Sequence, residues 1–157
     1  MFQNKSYLFM RFIATLSIAV IIIVLINGCT KQNDTPQMPV NEMIDTSENG
    51  GNTIMPVFSG QFEKGNEGTV GGIASIYLIN NKYQLELKDF SVTNGPDLHV
   101  YLSKEIDAIH FIDLGKLKST NGMQVYDIPN APDFNEYTYA LIYCQQYSVL
   151  FGSAPLK

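Results

Sequence analysis

The fold is decided by residues 73–88, IASIYLINNKYQLELK. The second half of this segment alternates strictly, with Leu85 and Leu87 on one side of an extended chain and Glu86 on the other, which is the period of a half-buried β-strand. Residues 80–82, Asn-Asn-Lys, separate this strand from an apolar run and form a turn signal. The segment therefore predicts a β-hairpin with one face toward water.

The sequence from Val57 to the end has the same character. Residues 98–103 alternate between apolar and polar side chains, and residues 123–128 are another short run of strand-forming residues. Residues 137–151 are apolar almost throughout, which is typical of strands in the middle of a sheet. Only residues 104–110 favour an irregular loop or a helical turn. Many short strands in about 100 residues predict an all-β domain, either a two-sheet β-sandwich or a small barrel.

The first 28 residues are predicted to be a lipoprotein signal peptide. Two basic residues precede an apolar run, residues 12–26, that is shorter than the roughly 20 residues of a membrane-spanning helix. The run leads into LINGC at residues 25–29, which resembles a bacterial lipobox. In proteins with that motif a peptidase cuts before the cysteine, which then carries fatty acyl chains such as palmitate. We therefore expect the mature chain to begin at a lipidated Cys29, with an uncleaved anchor helix as the alternative.

A lipidated, disordered tether is predicted over residues 29–56, ahead of a β domain over residues 57–157. The tether segment has no aromatic residue, is rich in Asn, Thr, Pro, Gln and Glu, and shows no period of helix or strand. More than one acyl chain gives stable anchoring in a bilayer. Thr30 is not the aspartate that retains some lipoproteins at an inner membrane. We therefore expect a membrane-anchored protein of the cell envelope, at the outer membrane if there are two.

Charge excludes one class of partner. The 157 residues carry ten Lys and Arg against fifteen Asp and Glu, a formal net charge of −5. Affinity for a phosphate backbone comes mainly from clustered basic side chains, and the sequence has no such cluster. We therefore expect no nucleic-acid partner.

Three blocks of the β domain resemble a known family. They are residues 87–103, LKDFSVTNGPDLHVYLS, then residues 114–118 with 122–129, and finally residues 144–156, CQQYSVLFGSAPL. In order and spacing they are similar to the electron-transfer DM-thirteen domain family. The resemblance implies a compact β domain with a redox role centred on one cysteine, which maps to Cys144, and a cytochrome-like redox partner.

Cys144 is the principal candidate for chemistry. With Cys29 assigned to lipid, it is the only thiol left in a compartment that usually oxidises thiols. It could be a thiolate ligand to haem or another soft metal, or a redox thiol. The alternative is a small apolar core residue, because Ala140 and Ile142 share its face of an apolar strand.

Four further residues are secondary candidates. His99 lies on the strand face opposite Leu98 and is predicted to be a ligand or to pack at a surface or sheet edge. Asp97 ends a Gly-Pro-Asp stretch that reads either as a structural turn or as a carboxylate at a cleft rim. Tyr143 and Tyr147 flank Cys144 at positions that are often Trp and Phe in the family.

Catalytic residues cannot be assigned from the sequence. No nucleophile elbow surrounds any serine, and neither His nor Met follows Cys144, which excludes a blue-copper site. Two functions remain open. The first is a lipid-anchored redox accessory domain that uses Cys144, and the second is a non-catalytic envelope binding or adhesion module with Tyr-rich faces for a protein or glycan.

Overall fold

A computed structural model describes residues 35–45 and 54–157 of the chain. The signal peptide and Cys29 lie outside these residues. Within the described ranges the chain forms ten β-strands and no helix, which confirms the all-β prediction. None of these residues therefore forms a helix that could cross a bilayer. The strands are β1 (Val40–Asn41), β2 (Phe58–Gln61), β3 (Glu63–Lys64), β4 (Val70–Ile79), β5 (Lys82–Val92), β6 (Leu98–Ser103), β7 (Phe111–Lys116), β8 (Asn121–Ile128), β9 (Tyr139–Cys144) and β10 (Val149–Pro155).

The strands form two five-stranded sheets that pack face to face. The first sheet has the order β1-β8-β5-β4-β2, and the second has the order β3-β10-β9-β6-β7. The apolar residues between the sheets make one continuous core. Of the two architectures predicted from the sequence, the observed one is the β-sandwich.

The predicted hairpin is formed by β4 and β5. Asn80 and Asn81 both have positive φ angles, 48° and 62°, which suits the two-residue turn of a right-twisted hairpin. The outer face of this hairpin is less exposed than the alternation predicts. Glu86 is buried there, and the Tyr77 hydroxyl on the neighbouring strand is hydrogen-bonded to it.

The apolar run of residues 137–151 forms β9 and the start of β10 in the interior of the second sheet, as predicted. β9 pairs with β6 on one side and with β10 on the other, so both of its edges are hydrogen-bonded to neighbouring strands. The loop of residues 104–110 is irregular, which was one of its two predicted forms.

The structure differs from the predicted tether at residues 35–45. β1 lies parallel to the edge strand β8, with Val40 opposite Gly122 and Asn41 opposite Met123. A two-residue strand has no periodic pattern of its own, and its backbone conformation is stabilised by the open edge of the sheet beside it. Part of the segment predicted to be disordered is therefore a strand of the sandwich.

One end of the sandwich holds most of the predicted site residues, and we call it the Gly95 end. It consists of four loops that contact one another through backbone hydrogen bonds and side-chain packing. These loops are residues 65–69, 93–97, 117–120 and 145–148.

Candidate functional site

Cys144 is the last residue of β9 at the Gly95 end. It lies opposite Leu98 of β6 and opposite Val149 of β10. Directly opposed residues of antiparallel strands point to the same face, and here that face is the core between the two sheets. The Cys144 side chain is 0% exposed.

The thiol is held by the loop that precedes β6. Its Sγ atom lies 2.8 Å from the backbone oxygen of Pro96 and donates its hydrogen to it. The backbone N–H of the next residue, Gln145, donates to the carbonyl oxygen of Asp97 at 3.1 Å. The Gly-Pro-Asp stretch is therefore a turn whose carbonyl groups cap the end of β9.

The geometry around Cys144 does not fit haem. An axial thiolate needs an open face beside the sulfur, whereas this sulfur is buried in the core and its hydrogen is bonded to Pro96. Among residues 35–45 and 54–157, no three His, Cys, Asp or Glu side chains are placed to share a metal ion.

A cavity of about 510 Å³ lies next to this region. Val149, the cross-strand neighbour of Cys144, forms part of its wall together with Phe151 and Tyr147. A Cβ atom on Gly95 would come within 2.7 Å of the Phe151 ring, so the absence of a side chain lets the loop lie against that ring. The remaining lining residues are Glu67, Gly68, Thr93 and Asn94.

His99 lies on the outer face of the second sheet and is only 8% exposed. Its Nδ1 atom is 3.0 and 3.1 Å from the two carboxylate oxygens of Asp113, so Nδ1–H donates to that carboxylate. Its Nε2 atom is buried without a hydrogen-bond partner, 3.5 Å from Asp97 Oδ1. The sequence favoured surface or edge packing, but β6 lies between β9 and β7, and this inner position buries the ring.

Asp97 is committed to an ion pair. Lys116 Nζ is 3.0 Å from its Oδ1 atom, and the hydrogen bond from Lys116 holds the pKa of the Asp97 carboxyl below its usual value. The residue also lines a smaller cavity, about 300 Å³, together with Thr35 and Pro36. It combines the two roles considered from the sequence, a turn residue and a carboxylate at a cleft.

A comparison with known families decides the assignment. The family model described as "Electron transfer DM13" matches residues 61–156. The chain belongs to this electron transfer DM13 family. The resemblance found in the sequence is therefore confirmed, and the DM13 domain extends from the end of β2 to the residue after β10. No curated protein and no solved structure matches the chain.

Aromatic side chains form a row across three strands of the DM13 domain. Tyr101 of β6 stacks on Phe111 of β7, with ring centroids 4.1 Å apart, and on Tyr143 of β9 at 5.5 Å. Burial raises the pKa of the Tyr101 hydroxyl. We call these three residues the aromatic row.

The structure gathers the predicted site residues at one end of the DM13 domain but separates them by face. Cys144 points into the core, whereas His99 and Tyr143 lie on the outer face of the same sheet. Tyr147 is in the turn between β9 and β10 and is 66% exposed.

Sequence reasoning did not single out two partners at this end. They are Asp113, which accepts hydrogen bonds from His99 and from Gln145 Nε2, and the backbone oxygen of Pro96. Asp113 lies opposite Tyr101 on β7, and only the strand register reveals that it faces His99. A backbone carbonyl group leaves no signal in the sequence.

Proposed function

We propose that this protein is an exported, lipid-anchored accessory domain for electron transfer and that Cys144 is its redox group. The family supplies the class of reaction, and the contact between Cys144 Sγ and the Pro96 oxygen supports the choice of residue. Pro96 belongs to a loop and not to a strand. The sulfur is therefore covered by a part of the fold that can move without breaking either sheet.

The proposed reaction is thiol–disulfide exchange with a disulfide-bearing electron carrier. The loop moves away, the Cys144 thiol loses its proton, and the thiolate attacks one sulfur of the carrier's disulfide. A new S–S bond joins the two molecules, and the carrier's second sulfur leaves as a thiolate that takes up the proton. The cytochrome-like partner implied by the family resemblance stays a prediction. Haem iron accepts one electron at a time, whereas the thiol–disulfide couple exchanges two, so a cytochrome is not the partner of this exchange step.

Cys29 is the proposed anchor. The lipobox-like LINGC at residues 25–29 supports acylation, with palmitate as one of the acyl groups, and Thr30 supports an outer-membrane destination where two membranes exist. Labelled palmitate supplied to cells should be incorporated into the wild-type protein and not into a Cys29→Ser variant. Equal incorporation into both proteins would rule out this site.

A non-catalytic envelope binding module is the second candidate. Two observations favour it: the complete burial of Cys144, which is common for a cysteine that only fills a core, and the aromatic row on the outer face of the second sheet. Tyr and Phe are enriched at protein interfaces, where they combine a large contact area with few rotatable bonds.

Exchange kinetics decide between the two functions. Residues 29–157 carrying Cys29→Ser have Cys144 as their only thiol. Formation of the mixed disulfide with glutathione disulfide is followed by mass spectrometry in native buffer, with Cys144→Ala as the control. The redox function predicts a rate well above the one that the globally unfolded population allows, because local opening of the loop exposes the thiol without unfolding the domain. Urea unfolding gives that population, and the unfolded protein gives the intrinsic rate of the free thiol. A native rate equal to the product of the two would overturn the redox function and leave the binding module.

A further inference from the structure

Residues 35–45, which we call the strap, are seated tightly on the first sheet. β1 extends that sheet beside β8, and the Glu42 N–H donates to the Met123 oxygen at 2.9 Å. A Cβ atom on Gly122 would come within 2.0 Å of the Val40 oxygen. The strap backbone therefore lies so close to β8 that only glycine fits opposite it.

The beginning of the strap is fixed to the Gly95 end. The Thr35 hydroxyl donates to the Gly95 oxygen at 3.1 Å, and the Thr35 side chain is buried. Three residues later, the Met38 oxygen accepts a hydrogen bond from the Ser119 hydroxyl at 2.7 Å. Both partners belong to loops of the Gly95 end, so the chain enters the folded domain there.

The other end of the strap is held by charge. The Glu42 carboxylate accepts hydrogen bonds from the Val125 N–H at 2.9 Å and from Lys118 Nζ at 2.6 Å. Burial acts to raise the pKa of Glu42, but these two hydrogen bonds and the positive charge of Lys118 together outweigh it and hold the pKa below its usual value. Glu42 is therefore ionised at neutral pH, and the strap is bound to the domain from Thr35 to Glu42.

Only a short chain separates the strap from the proposed lipid anchor. Residues 30–34 lie between Cys29 and Thr35. A fully extended chain covers at most about 3.3–3.6 Å per residue, so Cys29 lies within about 22 Å of Thr35. A tether over all of residues 30–56 would instead have a root-mean-square reach on the order of 30 Å and would leave every end of the domain equivalent.

We propose that the strap orients the anchored DM13 domain with its Gly95 end toward the phospholipid headgroups. The inference rests on lipidation of Cys29 in the proposed function but not on a redox role for Cys144. Besides the entry of the strap, the exposed Tyr147 supports this orientation, because Tyr is enriched at membrane–water interfaces. An electron carrier that reacts with Cys144 would then have to work at the membrane surface.

Tryptophan fluorescence in vesicles tests the orientation. The chain has no Trp, so a single Trp is a selective probe. Residues 29–157 carrying Cys144→Ser, in which Cys29 is the only thiol, are coupled through Cys29 to a maleimide phospholipid in phosphatidylcholine vesicles that contain nitroxide-headgroup lipid. The probe is placed either at the Gly95 end, as Tyr147→Trp, or in the loop at the opposite end, as Ile109→Trp. These positions are matched in exposure, 66% and 67%.

The Tyr147→Trp protein should be quenched several-fold more strongly than the Ile109→Trp protein. Equal quenching, or stronger quenching of the Ile109→Trp protein, would overturn the inference. Chemical coupling replaces lipidation by the cell, and the readout involves no redox step. Equal quenching of the two Trp variants would therefore overturn the orientation and leave the proposed function intact. A lack of palmitate on Cys29 in cells would instead remove the proposed anchor and would not change the vesicle result.

A pair of insertions tests the strap itself. Ten Gly and Ser residues inserted between Lys31 and Gln32 lengthen the chain before the strap and should abolish the difference in quenching. The same insertion between Ser47 and Glu48 lies after the strap and should leave the difference unchanged. If both insertions have the same effect, the strap is not what orients the domain.

Discussion

The Cys144 thiol donates its hydrogen to the backbone oxygen of Pro96 across a gap of 2.8 Å, and these two residues are 48 positions apart in the chain. The contact joins the end of β9 to the loop before β6. Val149, which lies opposite Cys144 on β10, lines the neighbouring cavity. A buried thiol with one polar contact to a loop carbonyl is either a core residue with a satisfied hydrogen or a redox group that the loop covers.

Replacing Cys144 separates its packing from its hydrogen bond. Cys144→Ala should lower the free energy of unfolding by about 1–2 kcal/mol, because it leaves a small void and removes the donor to Pro96. Cys144→Ser keeps a donor and should lose less. Urea unfolding of both variants measures the difference. A serine variant less stable than the alanine variant would mean that apolar packing alone matters at this position.

The loop that covers Cys144 can be displaced by one methyl group. In Gly95→Ala the new Cβ atom would approach the Phe151 ring to 2.7 Å, so the loop must shift and Pro96 with it. We expect several-fold faster alkylation of Cys144 by iodoacetamide in native buffer. Gly71→Ala is the matched control, since its Cβ atom meets only the Ser91 hydroxyl at 3.5 Å. No acceleration, or equal acceleration in both variants, would contradict a covering role for this loop.

Seating of the strap depends on a glycine, and the chain offers a matched pair of glycines. Gly122 and Gly115 both have positive φ, 102° and 117°, so alanine strains the backbone at either position. The new Cβ atom at Gly122 would also collide with the Val40 oxygen of the strap. The new Cβ atom at Gly115 would have no described atom within 4 Å. Gly122→Ala should therefore cost about 1–2 kcal/mol more stability than Gly115→Ala.

Hydrogen exchange locates the effect of that substitution. Gly122→Ala should speed exchange of the Glu42 amide, which is bonded to the Met123 oxygen, whereas Gly115→Ala should leave it slow. If the two variants lose equal stability and protect Glu42 equally, the strap is not bound as described.

Acid should release the far end of the strap. The folded-state pKa of Glu42 lies below its ordinary value of 4.5, so the carboxylate stabilises the folded state above pH 4.5. That stabilisation is lost as the pH falls through the lower folded-state pKa. The difference in unfolding free energy between the wild type and Glu42→Gln should thus be constant near neutrality and shrink below pH 4.5. A difference that does not depend on pH would show that the charge of Glu42 contributes nothing.

The hairpin and the buried strands could be predicted because their signals are local. The alternation around Leu85 and Leu87 and the asparagine pair at Asn80 are written within a few residues of chain, and burial of one face follows from that period alone. The family was predictable for a similar reason, since its blocks follow one another in a fixed order along the chain.

The candidate site could be predicted as a set of residues but not as an arrangement. Cys144 and His99 stand out by residue type, yet nothing in the sequence places them on opposite faces of one sheet. Register does so, because Cys144 lies opposite Leu98, and the adjacent His99 must then point the other way.

The sequence by itself determined the all-β class, membership of the DM13 family and the identity of the one cysteine within the matched residues, because these properties depend on residue type and on patterns along the chain. Only the tertiary structure decided that Cys144 is sealed beneath the Pro96 carbonyl and that residues 35–45 are a strand of the sandwich. Both outcomes depend on backbone groups brought together across long stretches of chain, and backbone groups are the same for nearly every residue. A sequence therefore cannot mark which of them will meet.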